Sequence, residues 1–216
     1  MTAATASIAR HARLVFWDFD GVIKESVDVK TRAYVRLFEP FGADVARRVR
    51  AHHETHGGMS RFVKLPLYLG FAGVDADAAR VAALLDEFHR LVQRAVIDSP
   101  WVPGAEEWLR RNAHSQLFVL VSATPQDELD EIVAALDLRS CFADVFGAPV
   151  DKQQAVRLSL ERHAVAASAA VFIGDATADH AAAAAARVPF ILRRHSSNAG
   201  VFATYRGASV RDCTEL

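Results

Sequence analysis

Short, continuous apolar runs separated by stretches of helical character punctuate this chain, and the alternation limits its fold more than any other feature. The runs are Leu14-Val15-Phe16-Trp17, Leu117-Phe118-Val119-Leu120-Val121, Ala170-Val171-Phe172-Ile173 and Phe190-Ile191-Leu192, with a weaker one over Cys141 to Phe146. An unbroken apolar run of this length suits a strand buried on both faces, as in a parallel sheet covered by helices. Helical stretches over Gln126 to Leu136, Lys152 to His163 and Ala178 to Arg187 separate the later runs. Such alternation builds right-handed βαβ units, so an α/β fold with a doubly wound parallel sheet is expected. The alanine tract Ala181 to Ala186 fits as a closely packed helix, alanine being the strongest helix former.

The first run breaks the rhythm. No single helix follows it, and the next boundary is Pro100-Trp101-Val102-Pro103-Gly104, where proline and glycine mark a turn. The segment between reads as helix throughout. Its last part places Val81, Leu84, Leu85, Phe88, Leu91, Val92 and Ala95 on one helical stripe, the pattern of a packed lobe. The expected organisation is therefore an α/β core of residues 1–24 and 100–216, with a helical insert of residues 25–99 after the first strand. Met1 to Arg13, rich in Ala, Ser and Thr with no acid, has something of a transit peptide. Because a strand follows at once, it reads as a frayed terminus.

Charge and cysteine usage narrow the partners. With 25 basic and 26 acidic residues the net charge is −1, whereas a polyanion-binding protein usually carries a basic excess. Nucleic acid is not an expected partner. No apolar run approaches the roughly 20 residues that span a bilayer, so no membrane partner is expected either. Cys141 and Cys213 fit neither a zinc spacing nor a disulfide framework, and a reducing cytoplasm is the simpler setting. His52, His53 and His56 form a cluster in which His52 and His56 stand one helical turn apart, as zinc pairs do, but no third ligand with suitable spacing lies near them. They read as a polar face of the insert.

In open parallel sheets, ligands bind at the carboxyl ends of the strands. After the first run comes Asp18-Phe19-Asp20-Gly21-Val22, with two carboxylates on one side of the strand exit and a glycine that permits a sharp turn. After the second come Ser122, Ala123 and Thr124, then Pro125 opening a helix whose free amides can hold phosphate. Lys152 follows the Gly147-Ala148-Pro149 turn, and Gly174-Asp175-Ala176-Thr177-Ala178-Asp179 follows the next strand. Singly, each is a common capped turn or a solvated charge. In this order, each at a strand end, they point to phosphate and metal chemistry.

The set Asp18-Phe19-Asp20-Gly21-Val22, Ser122, Lys152 and Gly174-Asp175-…-Asp179 resembles the four signature motifs of the haloacid dehalogenase superfamily, and the helical insert resembles its C1 cap. The likeness runs from about Leu14 to Arg194. It implies a Rossmann-like core with the first strand central. It implies Asp18 as a nucleophile that forms an aspartyl phosphate, and Asp20 as the acid for the leaving oxygen and then the base for water. Ser122 and the amide of Ala123 match the phosphate-binding groups, and Lys152 matches the cation that offsets charge. Magnesium would be held by Asp18, the carbonyl of Asp20 and Asp175, with Asp179 supporting from behind; oxygen donors suit that ion. Haloacid dehalogenases lack an acid at the place of Asp20, and phosphonate-cleaving relatives usually have alanine there, so Asp20 favours phosphate esters.

Within the insert, His56-Gly57-Gly58-Met59-Ser60-Arg61 resembles the substrate-specificity loop of the β-phosphoglucomutase and phosphoglycolate-phosphatase-like branch. Arg61 matches the arginine placed over the substrate, where a guanidinium can grip a carboxylate or second phosphate, and Lys64 lies one turn beyond. A plain alternative is a helix capped by Ser60 with two solvated cations. Gly57 stands where the mutase loop carries lysine, and Lys30 where the mutase has a histidine beside its acid. Together the Gly-Gly-x-Ser-Arg-Phe and Ser-x-Thr-Pro-x-x-Glu-Leu stretches also resemble hydrolases encoded with surface-polysaccharide genes. The expected protein is a magnesium-dependent phosphatase of a small metabolite, a sugar phosphate by association, acting as a monomer or weak homodimer. A phosphomutase and a silent binding module remain as alternatives. Hinges near Lys24 to Ser26 and Ser99 to Pro103 would let the insert open and close.

Overall fold

A computed structural model describes residues 3–216. Helix α1 (Ala3–His11) precedes strand β1 (Leu14–Trp17). The insert after β1 holds four α-helices: α2 (Val27–Phe38), α3 (Ala43–Thr55), α4 (Arg61–Phe71) and α5 (Ala78–Ile97). Alternation then resumes with α6 (Ala105–Asn112), β2 (Leu117–Pro125), α7 (Gln126–Ala135), β3 (Asp144–Ala148), α8 (Lys152–Arg162), β4 (Ala170–Gly174), α9 (Thr177–Ala185), β5 (Phe190–Arg193) and β6 (Ser209–Val210). The strands form one parallel sheet in the order β3-β2-β1-β4-β5-β6. This is the expected α/β fold, with β1 central.

The unbroken apolar runs have the cause read from them. All four β1 side chains are fully buried. Val15 and Trp17 face one layer with Leu109, Leu129 and Ile132, while Leu14 and Phe16 face the other with Ala155, Val156, Ala182 and Ala183. Period-two geometry sends neighbours to opposite faces, so a strand covered twice must be apolar at every position. Burying Leu14, Val15 and Phe16 contributes about 1.5–3 kcal/mol each.

The helices between β1 and β2 pack on an aromatic centre. The Tyr34 ring lies 4.2 Å from Phe88 and 5.4 Å from Tyr68, and Phe38 lies 5.6 Å from Tyr68. In α5 the fully buried positions are Phe88, Val92 and Val96, a clean i, i+4 series, and the stripe ends on Val96 rather than on the exposed Ala95. Two antiparallel passes join this segment to the sheet. The Glu25 N–H donates to Pro100 O at 2.9 Å and the Val102 N–H to Ile23 O at 2.9 Å. Lys24 Nζ donates to Ile97 O at 3.0 Å and lies 4.4 Å from the Trp101 ring centre, while Arg193 grips Glu25 with both arms.

Three elements differ from the sequence expectation. Residues 3–11 are helical rather than frayed, because Ala9 is fully buried and Gln116 Nε2 donates to the Ala9 and Ala12 carbonyls at 2.8 and 2.7 Å. The weak run begins later than expected: Arg139–Cys141 is a 3₁₀ turn and β3 starts at Asp144. The two-residue β6 is too short to leave a periodic signal. No described helix is long and apolar enough to cross a membrane.

Candidate active site

Strand order reverses at β1, and the crevice beyond its carboxyl end gathers polar residues from the carboxyl ends of four strands. Asp18 is the first residue past β1, its N–H donating to Ile173 O of β4 at 3.0 Å. Its Oδ1 accepts from the Phe19 N–H at 2.8 Å and pairs with Lys152 Nζ at 2.9 Å. Among the described residues Oδ2 has no hydrogen-bond donor, so one carboxylate oxygen is oriented and the other faces the cleft. Gly21 turns the chain with φ +75°, and a Cβ there would sit 2.3 Å from Asp175 Oδ2. Only glycine allows β1's exit to pass so close to the β4 exit.

Lys152 opens α8, whose N-cap Asp151 accepts from the Gln154 N–H at 2.8 Å. Its ammonium bridges Asp18 and Asp179, the latter at 2.5 Å. The other Asp179 oxygen accepts the Ala176 and Asp175 N–H groups at 2.9 and 3.2 Å. Both oxygens are thereby committed, which suits a supporting group behind a metal site. Asp175 is held from outside the four motifs: His195 Nε2 lies 2.7 Å from its Oδ2, and Asn198 Nδ2 donates to its carbonyl at 2.9 Å.

Asp18, Asp175 and Asp179 are the only possible ligand cluster among the described residues, each offering an oxygen within 4.8 Å of the others. Burial and the neighbouring Asp179 charge push Asp18 up to about 7 despite Lys152. Burial, set against the His195 contact, pushes Asp175 up to about 6, and Asp179 is raised as well. Burial disfavours the Lys152 ammonium, but Asp179 and Asp18 overcome it and raise the lysine. Three buried carboxylates facing one lysine leave surplus negative charge, and an oxygen-only donor set fits a hard divalent cation.

Asp20 has a different setting. Its Oδ1 accepts from Ser26 Oγ at 2.6 Å, and its Oδ2 pairs with Lys30. Lys30 Nζ also donates to Thr124 Oγ1 at 2.9 Å. Burial alone would raise Asp20, but the Lys30 charge and the Lys30 and Ser26 hydrogen bonds lower it. Ser26 spends its hydroxyl here rather than on capping α2. Ser122 lies buried in the last part of β2, which runs on to Pro125 rather than ending at Val121 as expected; its Oγ accepts from the Thr124 N–H at 3.1 Å, and Ala123 faces the cleft.

The insert roofs the cleft with Lys30, Tyr34, His53, Gly58, Arg61 and Lys64. Ser60 caps α4 as the plain alternative had it, accepting from Phe62 N at 3.4 Å, but Arg61 and Lys64 are buried rather than solvated. Arg61 reaches the cleft with its guanidinium bound by Glu128 Oε1 and Oε2 at 2.9 and 2.6 Å. Lys64 Nζ meets His53 Nδ1 at 2.7 Å and Gly57 O at 3.2 Å, and burial first, then Lys30, lowers it well below the ordinary lysine value. His52 and His56 stack at 4.2 Å while His53 turns to Lys64, so the three histidines do not converge. A space of about 40 Å³ remains inside, room for an ion and a few waters.

Glu128, His195 and Asn198 had no place in the site read from sequence. Glu128 was visible as the glutamate of Ser-x-Thr-Pro-x-x-Glu-Leu, but nothing tied it to Arg61. His195 and Asn198 follow a strand that carries no motif.

A family model described as haloacid dehalogenase-like hydrolase matches residues 12–187. No curated protein matches. Among solved structures, CbbY from Rhodobacter sphaeroides in complex with phosphate superposes with a TM-score of 0.75 at 14% identity, covering 95% of this chain and 96% of that one. A β-phosphoglucomutase from Clostridium difficile gives 0.76 at 18%, covering 95% and 93%. YfnB from Bacillus subtilis, bound to magnesium, gives 0.69 at 17%, covering 95% and 97%. At these identities the likeness to solved structures is one of fold. Resting on the family match over residues 12–187, this chain belongs to the haloacid dehalogenase-like hydrolases.

Proposed function

We propose that this chain is a magnesium-dependent phosphatase that releases phosphate from a small phosphorylated metabolite through an aspartyl phosphate on Asp18. The observation that carries the reading is the asymmetric Asp18 carboxylate at the strand-order reversal, with Oδ1 tied to Lys152 and the Phe19 amide and Oδ2 open to the cleft. Asp18 Oδ2 attacks phosphorus as the bond to the leaving oxygen breaks, and Asp20 supplies that oxygen with a proton. Water then attacks the phosphorus of the aspartyl phosphate, Asp20 takes its proton, and phosphate leaves with Asp18 restored. Ser122 and the Ala123 amide hold the phosphoryl oxygens, and Lys152 offsets charge on the nucleophile. Asp18, the Asp20 carbonyl and Asp175 are the groups to hold magnesium, with Asp179 behind them. When bound, the ion supplies the charge neutralisation that lets an anionic nucleophile approach a phosphate ester.

Two further features support the finer reading. The Lys30 and Ser26 contacts lower Asp20, which favours the carboxylate that takes water's proton once Asp20 has given its own to the leaving oxygen. Residues 25–99 act as a lid over a core of residues 1–24 and 100–216, since the buried Arg61–Glu128 pair joins the insert to the core across the cleft and would have to part for a substrate to enter. Of the three basic groups in the roof, Lys30 has Asp20 and Arg61 has Glu128, but Lys64 has no carboxylate partner among the described residues. A sugar phosphate carrying a carboxylate or second phosphate would supply the missing countercharge. Phosphate release across phosphorylated sugars and short phospho-acids tests the reading. Turnover that stops with EDTA and returns with magnesium is the expected result; no release from any of them with magnesium present would overturn it.

A further inference from the structure

Arg61 and Glu128 come from opposite walls of the cleft. Arg61 is the first residue of α4 and follows the Gly57–Ser60 loop, while Glu128 lies in the first turn of α7, just past Ser122 to Thr124. Two parallel N–H···O bonds of 2.6 and 2.9 Å join them, and the residues are only 4% and 3% exposed. The guanidinium also lies 4.5 Å from the Phe88 ring centre, and His89 Nδ1 comes within 3.2 Å of Glu128 Oε2. The same roof loop touches the core a second time, since a Cβ on Gly58 would stand 2.9 Å from Ala178 Cβ. A planar fork matched to a carboxylate is directional, so this pair fixes a register as well as a contact.

We propose that Glu128 is the core-side anchor of the lid, a positioning residue that binds Arg61 so that this arginine seats the insert over Asp18 rather than reading the substrate. The inference rests on the reading of the insert as a lid. Its physical basis is the asymmetry of buried charge. Paired, the two groups satisfy each other in the closed state; with one neutralised, the other is left bare in a dry interface. Opening the cleft returns that charge to water without unfolding either wall, so a broken pair shifts the lid open.

The test combines a distance with kinetics. Spin labels at Arg47→Cys and Glu161→Cys, positions whose native side chains are 73% and 63% exposed on α3 and α8, report the gap between lid and core. Native Cys141 and Cys213 are buried and stay unlabelled. In Glu128→Gln the distance distribution should lengthen and broaden. Its kcat/KM should fall at least about tenfold both for p-nitrophenyl phosphate and for any metabolite the release screen finds. The charge swap Arg61→Glu with Glu128→Arg should restore the short distance and most of the activity; if it does not fold, Arg61→Met with Glu128→Leu replaces it. An unchanged distance in Glu128→Gln, or no recovery in the folded double variant, would overturn the anchor. So would an Arg61→Met loss confined to the metabolite with Glu128→Gln harmless, since Arg61 would then be reading substrate. Because the distance needs no turnover, an absent phosphatase activity would sink the functional reading while leaving this one to be judged.

Discussion

Lys30 sits between the Asp20 carboxylate and the Thr124 hydroxyl, where its charge favours the ionised Asp20 that the second step of the proposed mechanism needs. Removing its charge leaves burial as the main influence on Asp20, and burial raises a carboxylate. Fewer Asp20 groups are then ionised at a given low pH, so in Lys30→Met the acidic limb of kcat for p-nitrophenyl phosphate should move to higher pH. A limb that stays in place would remove Lys30 from this role. Beyond the Asp18–Lys152 pair, His195 and Asn198 fix Asp175 through its Oδ2 and its carbonyl. Groups that orient a metal's ligands are typically worth about 10–100-fold in affinity. Calorimetric titration of His195→Ala with magnesium should show a loss of that order, and an unchanged affinity would make the contact incidental.

Among the elements, those that carry motifs were legible and the contacts between them were not. Asp18, Asp20, Lys152 and Asp175 announce themselves because strand exits are short and local chemistry decides them. The Arg61–Glu128 pair joins residues 67 positions apart, and no local pattern encodes it. Helix α1 was missed for a related reason: its stability comes from Ala9 and from Gln116 at the start of β2, not from its own amphipathic pattern. The roof loop offers an element-scale test. Gly58 has room for no side chain, its Cβ position lying 2.9 Å from Ala178 Cβ and 3.2 Å from Ala176 Cβ. Gly58→Val should hold the loop off the core, lowering kcat/KM about tenfold or more while Tm changes little, because the clash exists only when the lid is down. Unaltered kinetics would show that seating does not limit turnover.

For the whole molecule, the buried carboxylates couple stability to pH and to metal. Folded Asp18 and Asp175 keep protons up to about 7 and about 6, whereas unfolded carboxylates release them near pH 4. In that window the folded state binds more protons, so these groups make the metal-free protein less stable as pH rises from about 4 to 7. His53, lowered mainly by burial, acts in the opposite sense, its share being lost as pH falls below the ordinary histidine value. Magnesium requires ionised carboxylates and binds only the folded site. The rise in Tm that it causes should therefore be larger at about pH 7.5 than at about pH 5. A shift independent of pH would contradict the cluster as the binding site. The sheet was legible at this scale because apolar runs and their spacing fix a parallel α/β order; the closed roof was not, because closure depends on how two walls meet. The most direct test of the account is phosphate release from p-nitrophenyl phosphate with magnesium by Asp18→Asn beside the unsubstituted chain. The account predicts a folded protein whose activity falls to background, and near-normal release by that variant would contradict it.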